Sequence, residues 1–127
     1  QAGSDRFYWL PFEGDRERLA DLMAAVDVYV APCSLETFGL SALEALASCT
    51  PILTADRGGV AETVGRSSAG ISFASGNPGA LADAAVELLG SDLVELGVRG
   101  RKYVEAHHGW DMVFDRLFCL YRNILDR

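Results

Sequence analysis

The chain has 127 residues, enough for one domain with a real core; half are hydrophobic and 23% are charged, the balance of an ordinary globular protein. A formal net charge of −7 excludes general affinity for nucleic acid or an anionic membrane. An anionic ligand would have to be held by local dipoles or by basic residues elsewhere: Lys102 is the one lysine, and the arginines are scattered without a cluster.

In chain order, Arg6 to Leu10 (RFYWL) is aromatic-rich and stops at Pro11, as a strand does. After Gly14-Asp15, the stretch Arg16 to Ala25 places Leu19, Leu22, Met23 and Val26 at helical spacing. Val28 to Ala31 reads as a strand ended by Pro32, and Leu40 to Ala47 as a helix ended by Thr50-Pro51. Ile52 to Ala55 is a further strand, followed by the Gly58-Gly59 turn and a short helix near Val60 to Val64. Gly70 to Phe73 is the last strand; Ser75-Gly76-Asn77-Pro78-Gly79 then leads into a helix from Ala80 to Leu89. From Asp92 the pattern is helical throughout, broken around His107 to Gly109 before a final segment, Trp110 to Asp126.

Short strands alternating with helices predict a parallel sheet covered on both faces, as one domain over residues 1–127 with C-terminal helices at 92–127. Ligands of such sheets sit beyond the carboxyl ends of the strands, which directs attention to the loops Phe12 to Asp15, Pro32 to Gly39, Asp56 to Gly59 and Ala74 to Pro78.

The second of these loops opens the helix Leu40 to Ala47, which is apolar on nearly every side and should be buried, with Glu44 its one charge. A buried carboxylate is costly, so Glu44 is satisfied by an arginine or backbone N–H, surfaces at the helix edge, or serves a ligand. Phe38, Gly39 and Leu40 stand at the first turn, where N–H groups lack partners inside the helix and a phosphate can be held. Gly39 lets such an anion come close to the backbone. Glu44 lies roughly 6 Å further along the axis, within reach of two adjacent ribose hydroxyls. Glu36, in the loop above, can do the same for a sugar on the other side of the diphosphate.

Glu36-Thr37-Phe38-Gly39 followed by Glu44, with seven residues between the acids, resembles the paired-glutamate signature of glycosyltransferase family 4. The flanks Ala24 to Pro32 and Thr50 to Glu62 are similar to those of that family, and so is the final helix carrying Trp110 and Tyr121, which in such enzymes crosses back toward the acceptor domain. The resemblance implies a Rossmann-like part of the C-terminal half of a GT-B glycosyltransferase, binding a nucleotide-diphosphate sugar and transferring the sugar with retention of configuration, usually without a metal or other cofactor. It implies that Glu36 contacts the donor sugar as the catalytic residue, that Thr37 and the backbone of Phe38, Gly39 and Leu40 line the donor site, and that Glu44 binds the ribose. The arginine and lysine that neutralise the diphosphate in this family have no counterpart here. Neither does the acceptor-binding N-terminal domain, the expected partner within a longer parent chain. By itself the chain should not catalyse transfer.

Several residues keep two readings. Gly58 and Gly59 either let backbone approach the donor or make a tight turn at the end of the Ile52–Ala55 strand. Thr37 touches the sugar or, as the safer reading, caps the helix. Glu62 complements a helix dipole, and Arg57 is a solvated loop residue rather than a diphosphate ligand. His107 and His108 point too far apart to share a metal and read as cap or surface residues. Cys33, Cys49 and Cys119 form no metal spacing and read as reduced, partly buried thiols of a cytoplasmic protein, with Cys33 packed. No apolar run spans a membrane, and any association with its inner face would go through the missing domain. Two other functions fit less well: a sugar-nucleotide 2-epimerase of GT-B fold, and a non-catalytic flavodoxin-like binding module.

Overall fold

A computed structural model of the chain describes residues 7–126. Three parallel strands, β1 (Tyr29–Ala31), β2 (Ile52–Ala55) and β3 (Gly70–Phe73), pair in chain order, with Tyr29 opposite Ile52 and Ile52 opposite Gly70. Six helices accompany them: α1 (Arg16–Ala24), α2 (Leu40–Ala47), α3 (Gly59–Ser67), α4 (Pro78–Leu89), α5 (Leu93–His107) and α6 (Trp110–Leu125).

The central strand shows why both faces are covered. All four of its residues are buried. Ile52 packs with Ala42 and Leu46 of α2 and with Val60 and Val64 of α3. Leu53 and Ala55 point the other way, into a cluster with Phe73 and with Ala84 and Leu88 of α4. Strand order 1-2-3 with right-handed crossovers puts α2 and α3 on one face, leaving the second for α4. The period of two along Ile52, Leu53, Thr54 and Ala55 then supplies side chains to both layers.

Helix α5 closes over α2 through two notches. A Cβ on Gly97 would strike the Cys49 backbone, and one on Gly100 would strike the side chains of Leu46 and Ala69. Without side chains there, the two helices approach closely and Leu46 becomes fully buried. Helix α1 is joined to the turn after α2 by Thr50, whose hydroxyl donates to the Met23 carbonyl at 2.6 Å.

Three expectations need correction. Phe7 to Leu10 form no strand; they are irregular and exposed, Phe7 by 84% and Trp9 by 95% (Arg6 lies outside the described residues). A strand requires a ladder partner, and no described segment pairs with this one. Of the helical stripe Leu19, Leu22, Met23 and Val26, Met23 alone is buried, because α1 rests on α2 by one edge. The three cysteines are all exposed: Cys33 in a loop, Cys49 on a turn at φ 62°, Cys119 on α6, none of whose residues is buried. Elsewhere the helices match closely, although α3 runs on to Ser67 and α4 starts at Pro78 behind an Asn77 cap that accepts from the Ala80 N–H at 3.1 Å.

Candidate functional site

The loops after β1, β2 and β3 gather at one edge of the sheet and are tied together there. The Gly59 N–H donates to the Glu36 carbonyl at 2.8 Å, and the Ser75 N–H donates to Asp56 Oδ1 at 3.0 Å. Gly58, at φ 92°, caps α3, and a Cβ on it would lie 2.7 Å from the Glu36 carbonyl oxygen. A Cβ on Gly59 would run into the Thr37 carbonyl. The glycine pair therefore does what neither reading of it foresaw: it seats the start of α3 directly on the backbone of the Glu36–Phe38 loop.

Helix α2 begins at Leu40 behind Gly39, which is buried in the left-handed region at φ 79° and pressed against Val60. A residue with a Cβ would meet both a strained φ and the Val60 methyl. Thr37 does not cap this helix; the N-cap is Gly39, and the side chain that reaches the first amides is Glu36. Its Oε1 accepts from Gly39 N–H at 3.1 Å and from Phe38 N–H at 3.4 Å. A carboxylate oxygen thus already occupies two of the amides expected to stand open to a phosphate. Tyr29 buttresses the same turn by donating its hydroxyl to Ser41 Oγ at 2.8 Å.

Glu44 surfaces at the helix edge, the second of the readings weighed for it, because α2 buries only the face carrying Ala42, Leu43, Ala45 and Leu46. Leu40 is likewise 67% exposed, so the helix is half-buried rather than enclosed. Glu44 nevertheless stands beside a hollow of about 220 Å³, mainly apolar, that α1 closes with Arg16, Leu19, Ala20 and Met23. Glu36 and Glu44 are thus both solvent-accessible, one at the start of α2 and one about a turn along it. Arg16 was not singled out from sequence, since only the packing of α1 on α2 places it on the same hollow as Glu44.

A second hollow, of about 130 Å³, lies between this loop and α5, with Thr37, Phe38 and Gly59 on one side and Tyr103 and His108 on the other. His108 caps α5, half-buried, its ring 6.1 Å from that of Phe38 and nearly perpendicular to it. Burial, and then the charges of His107, Arg116 and Arg66, hold its pKa below the ordinary histidine value of 6.5. Glu62 stands in the first turn of α3 as expected and pairs with Arg66 at 3.5 Å; Arg57 is exposed. Among the described residues no helix is long and apolar enough to cross a membrane.

A parallel sheet covered on both faces, with two acids along a helix beyond its carboxyl edge, is a Rossmann-like architecture of the kind that GT-B glycosyltransferases contain. Comparison bears this out. Sucrose-phosphate synthase from Thermosynechococcus elongatus superposes with a TM-score of 0.86 at 32% identity, over 97% of this chain and 31% of that one. Residues 2–105 match the family model described as glycosyl transferases group 1, and the chain belongs to that family. Its relatives include a D-inositol 3-phosphate glycosyltransferase of Corynebacterium urealyticum, 32% identical over 85% of this chain and 26% of the relative. Another is a GDP-mannose-dependent alpha-(1-6)-phosphatidylinositol monomannoside mannosyltransferase of Mycobacterium tuberculosis, 32% identical over 74% of this chain and 27% of the relative. The chain thus spans about a quarter of the length of these two relatives.

Proposed function

We propose that this chain carries the donor site of a retaining glycosyltransferase, holding a nucleotide-diphosphate sugar while an acceptor-binding domain of the same parent chain presents the acceptor. The observation that carries the reading is the Glu36 carboxylate on the amides of Gly39 and Phe38. An anion is favoured at the positive end of a helix dipole, and here the protein's own carboxylate stands in for one. A diphosphate carries more charge and more acceptor oxygens. On binding it displaces Glu36, whose carboxylate then turns to the hydroxyls of the transferred sugar. Glu36 is the catalytic residue in this reading, and Thr37 and Leu40 complete the wall around the diphosphate.

Glu44 reads the ribose, and the hollow it shares with Arg16, Leu19 and Met23 receives the nucleoside end. No metal is needed, because the helix start and basic groups of the parent chain balance the leaving diphosphate. Gly58 and Gly59 act by fixing the loop rather than by touching the donor. The parent works in the cytoplasm, and any contact with the membrane's inner face goes through its other domain.

Amide NMR spectra of the full-length parent, titrated with UDP-, GDP- and ADP-sugars, test the reading. One of the three should shift the Phe38, Gly39 and Leu40 amides saturably, and Glu44→Ala should weaken it by roughly tenfold, the worth of a charge-assisted hydrogen bond. If none of the three moves those amides, the helix start is not a donor site. If binding persists unweakened in Glu44→Ala, the ribose assignment fails alone.

A further inference from the structure

We propose that the cleft between the ends of α3 and α5 and the second turn of α6 is a separate anion site, taking a small ligand that bears a phosphate group. The cleft has a volume of about 390 Å³ and is lined by Arg66, Tyr103, His107, His108 and Arg116. In a chain of net charge −7, two guanidinium groups, two imidazoles and a phenol hydroxyl here share one concavity, with no carboxylate among the lining residues. The fold makes this cluster, drawing on residues up to fifty positions apart.

Gathering like charges costs Coulomb energy that a bound anion would return. Arg66 and His107 lie in the last turns of their helices, where a cation also suits the dipole. That accounts for two of the cations, but not for Arg116, from a different helix, nor for His108. Glu62, beside Arg66 at 3.5 Å, offsets part of one charge from the neighbouring hollow. His108 supplies an independent sign. Its Nε2 is buried without a hydrogen-bond partner among the described residues, and an unpaired ring nitrogen is costly unless something comes to meet it. A phosphate oxygen would meet it once the ring turns that edge into the cleft, with the planar forks of Arg66 and Arg116 on the remaining oxygens and the Tyr103 hydroxyl able to donate. The site is distinct from the start of α2, which uses backbone amides. Arg66, Tyr103 and His108 also line the smaller hollow that adjoins Thr37 and Phe38, so the two regions are neighbours, joined further by the Phe38–His108 ring contact.

The test follows the ring protons of His107 and His108 by NMR near pH 6.5, the ordinary histidine value, as inorganic phosphate or glycerol 3-phosphate is added at constant ionic strength against a chloride control. Saturable shifts of both rings are expected, moving toward the protonated form because an anion favours the imidazolium. Arg66→Gln and Arg116→Gln should each weaken binding by roughly tenfold. Response to both ligands supports a general phosphate site; response to one alone supports the site and decides between a free ion and an ester. Both arginine side chains reach solvent, and the wild-type titration stands without either variant. The proposal fails if the rings respond no more to phosphate than to chloride, if only the Phe38 to Leu40 amides shift, or if the folded double variant binds as before.

Discussion

Helices α2 and α6 are both apolar in composition, yet they meet opposite fates. Four of the eight residues of α2 are buried, whereas α6 has sixteen residues and buries none. Phe114, Phe118 and Tyr121 of α6 are about half-exposed, and their rings meet one another along the helix, Phe114 stacked on Phe118 and Phe118 edge to face with Tyr121, rather than entering a core. The difference lies in what surrounds each helix. Helix α2 is covered by a sheet below and by α5 above, and α5 reaches it because Gly97 and Gly100 remove the side chains that would hold it off. An amphipathic pattern makes a helix; its neighbours' small residues decide whether it is buried.

The largest test of this contrast is Leu46→Ala, which should cost about 2–5 kcal/mol, the usual range for emptying a fully buried leucine site, read from urea unfolding. Gly97→Ala should come next at about 1–3 kcal/mol, because the added methyl meets the rigid backbone of Cys49 rather than a side chain that can turn away. A smaller effect comes from His108. Its pKa is held low, so the unfolded chain takes up its proton first as the pH falls; the stability due to neutral His108 is complete above about 6.5 and is lost as the pH drops toward the lowered value. The urea midpoint should therefore fall less across that range in His108→Asn than in the wild type. Phe118→Ala should change stability by no more than about 0.5 kcal/mol, as at an ordinary surface position. A loss of the size seen at Leu46 would show that α6 is held far more firmly than its exposure indicates.

Much of this architecture was legible in the sequence because it rests on local pattern. The strands Ile52–Ala55 and Gly70–Phe73 and the break before Trp110 follow directly from apolar runs and Gly/Pro punctuation. Phe7 to Leu10 misled for the same reason: β-propensity marks a segment that suits a sheet, but a ladder needs a partner, which a local pattern does not reveal. At the candidate site, the positions of Glu36 and Glu44 along the chain were readable, but their surroundings were not. That Arg16 would line one hollow with Glu44 and that His108 would meet Phe38 depend on how helices pack, and the bonds from Glu36 to amides two and three residues on depend on the path of the loop. The cleft at Arg66 and Arg116 shows the same limit, since arginines that look scattered in sequence converge in space. Gly58 and Gly59 were read as a tight turn or as a close approach to the donor; that they also let one backbone lie against another is a contact a local pattern does not reveal.

The bond from the Gly59 N–H to the Glu36 carbonyl has a kinetic consequence. With the main chain of that loop clamped to α3, the softest coordinate at the helix start is rotation about the bonds of one glutamate side chain. Such rotations in exposed residues take picoseconds to nanoseconds, whereas opening a loop takes up to microseconds. An anion arriving at these amides, as the proposed donor site requires, would need only that carboxylate to swing aside.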